Sequence, residues 1–139
     1  MNCDQPVLLT PCCSHPVLAD LPWKTRPPVV GGYNRFVPKT DATLLLNAIT
    51  YNATWDGERH TVTQTTIDPM LVVGQQGAGR TAALATDVAP HWVGPLVDWG
   101  DARVSAQACN ANAIEVGNLY AQFFKQLLLW AAGNDAGRC

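Results

Sequence analysis

The chain has 139 residues, of which 47% are hydrophobic and 14% are charged, and its formal net charge is -2. This length and composition predict one packed globular domain and exclude a disordered tail. Nine basic and eleven acidic residues, without a run of either sign, give no basis for binding nucleic acid or an anionic membrane surface.

The amino-terminal sequence MNCDQPVLLTPCC has no cationic leader, and no stretch reaches the roughly 20 apolar residues of a membrane span. We therefore expect a cytoplasmic protein whose five cysteines are reduced thiols. The cysteines form no C-x-x-C pair and the three histidines no H-x-H or H-x-x-x-H pattern. The sequence thus predicts neither a metal site nor a cofactor.

The amino-terminal third is rich in proline. Seven of the ten prolines fall within residues 1–40, and each removes a backbone donor and fixes φ, which excludes long helices there. We interpret residues 1–32 as a Pro-rich covering segment within the domain. The following ATLLLNAITYNATW predicts a largely buried strand, and residues 52–66 predict a solvated loop or a short β excursion.

Two β-prone runs, DPMLVVGQQ and RTAALAT, flank the turn Gly77-Ala78-Gly79. This pattern predicts a β-hairpin near residues 69–86, with the glycines supplying positive φ. The string GAGRTA resembles a phosphate-binding loop, but such a loop needs a helix after the glycines, whereas a strand is predicted here.

The last predicted element is a helix near residues 112–132. Apolar residues recur there at helical spacing, and Gly133 supplies a stop. Its apolar face is wide, which indicates packing against a sheet.

Polar residues follow the second strand of the hairpin, at Thr86, Asp87, His91 and Trp92. An imidazole near a carboxylate can act as an oriented general base. The same residues also have a structural interpretation, in which Asp87 caps the following turn and Trp92 closes the core. The sequence leaves both interpretations open.

A cysteine nucleophile has a weaker basis. Cys12 and Cys13 lie close to His15 in sequence, but no strand-turn-helix elbow of the G-x-C-x-G type surrounds them. A catalytic thiolate needs a lowered pKa, which this context does not supply.

The order of the motifs is more specific than any one of them. HPVLADLPW, PPVVGGYNRFVPKTDATLLL, DPMLVVGQQGAGRTAALATDVAPHW, LVDW and YxxFFxQLLLWAAG follow one another in the chain. Together they resemble the carboxyl-terminal half of the putative class I glutamine amidotransferase-like family, which is similar to ThuA-like proteins. The resemblance implies an α/β flavodoxin-like sandwich, or its carboxyl-terminal half. Residues 1–139 would then form a single, partial domain.

The resemblance also implies site residues. In amidotransferases of this fold a histidine after a late strand activates the cysteine nucleophile, and His91 is similar in position. Asp87 is the second catalytic candidate. The candidate binding residues are Trp92, Thr86, Trp99, Tyr33 and Asn34.

Members of the family carry their nucleophile elbow in an amino-terminal half that this chain does not contain. We therefore expect a non-catalytic binding or oligomerising module, acting as a homo-oligomer or with a chain that supplies the missing half-domain. A small-molecule ligand is compatible with this expectation. One alternative is a glutamine amidotransferase or related hydrolase, in which His91 works with a nucleophile from a partner chain, from the missing amino-terminal half, or from Cys12 or Cys13. Another is a sugar-linked role in which Trp92 and Trp99 stack on a carbohydrate.

Overall fold

The computed structural model describes residues 2–88 and 91–134, with side chains from residue 5 onward. Its strands are β1 (Asn2–Pro11), β2 (Val29–Gly32), β3 (Thr43–Trp55), β4 (His60–Gln76), β5 (Gly79–Leu84), β6 (Arg103–Ala106) and β7 (Ile114–Gly117). The helix α1 spans Asn118–Ala131, and short 3-10 turns occupy Pro16–Leu18 and Gly94–Asp98.

Five strands form one sheet in the order β2-β1-β3-β4-β5, and every neighbouring pair is antiparallel. The sheet curls into a half-barrel, so the predicted α/β flavodoxin-like sandwich is wrong. The physical reason lies in the connections. Only residues 56–59 join β3 to β4 and residues 77–78 join β4 to β5, whereas parallel strands need a crossover of about a dozen residues or more.

The predicted hairpin near residues 69–86 is confirmed. β4 and β5 pair from Leu71 opposite Leu84 to Gln76 opposite Gly79. Gly77 takes a φ of 60° in the turn, as the glycine pattern predicted. The first strand of this hairpin is longer than predicted, because β4 begins at His60 and pairs with β3 from His60 to Val73.

The predicted closing helix is also present, but α1 begins at Asn118 and not near residue 112. Residues 114–117 instead form β7, which pairs with β6 as a separate two-stranded sheet. The alternation of Ile114, Glu115 and Val116 suits a strand edge better than a helix start.

The core lies between the curled sheet, the two 3-10 turns and α1. Phe123 and Leu127 of the helix pack with apolar side chains of the sheet, and Trp23 joins them from the segment between β1 and β2. Residues 1–32 therefore supply two strands as well as buried side chains, with β1 lying between β2 and β3. Over the described ranges, no helix is both long enough and apolar enough to cross a membrane.

Three hydrogen bonds join β2 and the residue that follows it closely, Asn34, to the segment that follows β5, and we call them the seam. The N–H of Asn34 donates to the carbonyl of Ala85 at 2.8 Å. The hydroxyl of Thr86 donates to the carbonyl of Gly32 at 2.9 Å. The N–H of Gly31 donates to the carbonyl of Trp92 at 2.8 Å. The seam closes the curl at one end of the sheet.

The seam predicts that Gly94 is sensitive to substitution. Gly94 has a φ of 51°, and a Cβ atom there would lie 3.0 Å from the backbone nitrogen of Gly31. We expect Gly94→Ala to lower the free energy of unfolding by about 2 kcal/mol, from the left-handed backbone strain plus the close contact. Urea denaturation measures this loss. Gly79→Ala is the control, because its Cβ would meet nothing closer than 3.5 Å, and an equal loss in both variants would contradict the prediction.

Candidate functional site

The polar residues predicted after the hairpin lie along the seam. Thr86 is buried, and its hydroxyl holds the carbonyl of Gly32. Trp92 is half-buried, and its carbonyl accepts from Gly31. Ala89 and Pro90, which belong to the same sequence motif, lie outside the described residues. Thr86 and the backbone of Trp92 thus hold the two sheet edges together.

The carboxylate of Asp87 is bound by backbone amides. The N–H of Trp92 lies 3.0 and 3.1 Å from its two oxygens, and the N–H of Val93 donates to it at 2.7 Å. These are charge-assisted bonds, which are stronger than bonds between neutral groups. Of the two interpretations that the sequence left open for Asp87, these contacts correspond to the structural one, in which the carboxylate caps the following turn. Burial of the Tyr120 hydroxyl raises its pKa, and the negative charge of the nearby Asp87 raises it further.

His91 is exposed beside Asp87. Its Nδ1 atom lies 3.9 Å from Asp87 Oδ2, and 71% of its side chain is accessible to solvent. A separation of 3.9 Å is too long for a hydrogen bond. The ring stacks on Trp92, with centroids 5.6 Å apart. His91 therefore presents an accessible imidazole near a carboxylate that has other hydrogen-bond partners.

Two further predicted binding residues occupy unlike environments. Trp99 is only 4% exposed, packs on Trp23 with ring centroids 4.8 Å apart, and donates its indole N–H to the carbonyl of Arg26 at 2.8 Å. Asn34 has an exposed side chain, while its backbone belongs to the seam. The face of Trp99 is thus covered by protein, whereas Asn34 is open to solvent.

Tyr33 belongs to a polar cluster that the sequence did not reveal. Its hydroxyl donates to Asp68 Oδ2 at 2.6 Å, Arg35 Nε donates to the same oxygen at 3.1 Å, and the hydroxyl of Thr66 approaches it at 3.3 Å. The hydrogen bond from Tyr33 is the main cause that lowers the pKa of Asp68, and the charge of Arg35 adds to it. Burial and Asp68 in turn raise the pKa of Tyr33. The one sequence feature that could have indicated this cluster is Asp68, a carboxylate next to the apolar run of β4.

Cys12 and Cys13 lie at the other end of β1 from the seam. Val30 of β2 pairs with Val7 of β1, so Gly31 and the seam lie near the start of β1, whereas Cys12 directly follows its end. Six residues of extended chain correspond to about 20 Å. Burial and the neighbouring Cys13 raise the pKa of the Cys12 thiol, which disfavours the reactive thiolate.

His15 has a structural partner as well. Its Nδ1 atom accepts from the N–H of Val17 at 3.2 Å, and its ring meets Trp130 edge-on at 5.3 Å. Burial, and then the charge of Arg80, lower the pKa of His15. A hollow of about 470 Å³ adjoins this cluster and is also lined by Thr43. The hollow continues toward a groove of about 300 Å³ between residues 36–42 and the β4–β5 pair.

Metal-ligating side chains do not converge: within residues 2–88 and 91–134 no group of three or more His, Cys, Asp or Glu residues could hold a metal ion. Cys12, Cys13 and Cys109 are free thiols. Cys139 lies outside the described residues, and so does the side chain of Cys3.

Fold and site together define a mostly β domain in which a carboxylate and a histidine follow an edge strand. The sequence profile of the family described as putative glutamine amidotransferase matches residues 6–107, a range that includes the seam and ends before α1. Because the match covers most of the chain, the chain belongs to this family, as its motifs predicted. No curated protein matches the chain. The likeness to ThuA-like proteins and the assignment to a carboxyl-terminal half stay predictions.

The amide contacts of Asp87 predict that this residue stabilises the fold. We expect Asp87→Ala to lower the free energy of unfolding by about 2 kcal/mol, because it leaves the amides of Trp92 and Val93 without a charged acceptor. Asp101→Ala is the matched control, since Asp101 pairs with Arg26 at the surface and its side chain is 90% exposed. Exposed pairs contribute about 0.5 kcal/mol. Urea denaturation compares the two variants, and equal losses would contradict a capping role.

The Tyr33–Asp68 cluster predicts a specific acid dependence. The pKa of Asp68 in the folded state lies below its ordinary value of 3.8. Its stabilising contribution is therefore present above pH 3.8 and lost as the pH falls through the folded-state pKa. We expect Asp68→Asn to flatten the decline in the free energy of unfolding over this acid range. Denaturation at a series of pH values tests it, with Asp41→Asn, at an exposed position, as the control that keeps the decline of the wild type.

Proposed function

We propose that this chain is a non-catalytic binding and oligomerising module of the putative glutamine amidotransferase family. The observation that carries the proposal is the state of Asp87, whose carboxylate is bound to the amides of Trp92 and Val93. A carboxylate that orients a catalytic histidine hydrogen-bonds to the ring N–H of that histidine. Asp87 and His91 are 3.9 Å apart and do not make this bond.

The positions of Cys12 and Cys13 support the same proposal. Class I amidotransferases use a cysteine nucleophile, and such a thiol must lie within hydrogen-bond reach of its base. Cys12 follows β1 about six extended residues, or about 20 Å, from the level of the seam, and burial raises the pKa of its thiol. This placement disfavours activation of Cys12 or Cys13 by His91 within one chain.

A binding role also has room in the fold. The hollow beside His15, Thr43 and Trp130 is lined by both polar and aromatic groups, a mixture that suits a small polar ligand. This end of the sheet is distinct from the seam. The proposal retains the expected cytoplasmic location and association with a second chain.

The exposure of His91 favours one second candidate, an amidotransferase or related hydrolase completed by another chain. With 71% of its side chain accessible and its ring stacked on Trp92, His91 can be reached from outside the protein. A partner could bring a nucleophile to the imidazole there. In that case the chain alone would be inactive and the complex active.

Ammonia release from glutamine tests the proposal. We expect the purified chain to release no ammonia above the buffer rate, and His91→Ala to be indistinguishable from it. Release by the wild type that disappears in His91→Ala but persists in Lys24→Ala would overturn the proposal and favour the enzyme. Lys24 is a suitable control because it is exposed and lies in the segment between β1 and β2. Unfolding midpoints of all three proteins verify that each is folded.

A further inference from the structure

The outer halves of β3 and β4 project beyond the rest of the sheet, and we call residues 51–66 the arm. Pairing of β3 with β1 ends at Ile49 opposite Leu8, whereas pairing with β4 continues to Trp55 opposite His60. Residues 52–65 are all exposed. Among the described residues the arm is thus a two-stranded ribbon without a sheet neighbour, a structure that is marginally stable in water when uncovered.

The two faces of the arm differ in polarity. Side chains alternate between faces along a strand, and directly opposite residues share a face. One face carries the pairs Tyr51–Gln64, Ala53–Val62 and Trp55–His60, and the other carries Asn52–Thr63 and Thr54–Thr61. The rings of Trp55 and His60 lie 4.5 Å apart, as expected for neighbours on one face.

The polar face of the arm lies on the same side of the sheet as the core. Thr50 and Thr66 precede it on that side, and Thr66 bonds to Asp68, which pairs with the buried Ala48. The apolar face therefore points away from the core of its own chain. We call this face, together with Ile67 just beyond the arm, the outer stripe, and its members are Tyr51, Ala53, Trp55, His60, Val62, Gln64 and Ile67.

The outer stripe is open to solvent although it is apolar. Trp55 is 57% exposed, Val62 is 61% exposed and Ile67 is 55% exposed. Scattered apolar residues are normal on a surface, but a contiguous apolar patch marks an interaction site. The stripe offers roughly 500 Å² per chain, given that a large aromatic residue buries about 150–250 Å².

We propose that two copies of this chain associate through their outer stripes as a symmetric dimer, an inference that rests on the oligomerising role proposed above. A stripe without a formally charged residue meets its own copy without like-charge repulsion, and it offers no cations to an acidic partner or nucleic acid. Face-to-face stacking of two such ribbons buries about 1,000 Å², the lower bound for a specific interface. The charged residues of the arm, Asp56, Glu58 and Arg59, lie at its tip with both signs present.

Sedimentation equilibrium from low micromolar to submillimolar concentration tests the dimer. We expect the wild type to self-associate and the double variant Trp55→Ser, Val62→Thr to bind itself at least about tenfold more weakly, as for the loss of interface anchors. The matched control is Thr54→Ser, Thr61→Ser, which changes the opposite face of the same ribbon and should associate like the wild type. A wild type that stays monomeric, or an outer-stripe variant that associates as the wild type does, would overturn the proposal.

Hydrogen exchange gives a second measurement that does not depend on a variant. In the wild type, protection of amides in residues 51–66 should rise with protein concentration, and a rise confined to another segment would contradict the outer stripe. Glutamine hydrolysis is scored separately. A monomer without hydrolysis refutes the dimer and the oligomerising role and leaves the non-catalytic binding role standing, whereas a dimer that hydrolyses glutamine refutes the non-catalytic role alone.

Discussion

β2 and β5 stand at opposite ends of the strand order, yet the chain brings their ends together. The bonds that do so run from Asn34 to Ala85, from Thr86 to Gly32 and from Gly31 to Trp92. They satisfy backbone groups that an open edge would leave to water, and so they stabilise the curled form of the sheet. The amide contacts of Asp87 shape the turn that carries Trp92 back to β2. The curl and the candidate site therefore depend on the same short segment.

This shared dependence changes how the motif TDVAPHW is interpreted. Thr86 and Asp87 were candidates for chemistry because polar residues after a strand often form sites. In this fold the hydroxyl of Thr86 joins the sheet edges, and the carboxylate of Asp87 binds the amides of Trp92 and Val93. His91 is the exception, because its ring makes no hydrogen bond to Asp87 and is open to solvent. A binding or catalytic role in this motif thus concerns His91 more than its neighbours.

Local features of the fold could be predicted from the sequence, because they depend on residues close together in the chain. The β4–β5 hairpin follows from Gly77 and its flanking apolar runs, and the body of α1 follows from the spacing of Leu119, Phe123 and Leu127. The half-barrel could not be predicted this way. It depends on bonds between residues more than fifty positions apart, such as Thr86 and Gly32, which leave no periodic signal. The expected parallel sheet came from the family resemblance and not from the strands themselves.

The polar cluster of Tyr33 and Asp68 shows the same limit at the level of a site. Tyr33 was named as a binding candidate, but nothing in its local sequence indicates that its hydroxyl meets a carboxylate thirty-five residues later in the chain. The cluster lies where the core side of the sheet passes into the polar face of the arm. Beyond this point the inner face is lined by threonines, and the apolar residues change to the outer face. Both halves of β3 and β4 alternate apolar and polar residues, but the apolar residues lie on the inner face in one half and on the outer face in the other. Because an apolar face exposed to water is unfavourable, this exchange of faces is favourable only if something covers the outer face.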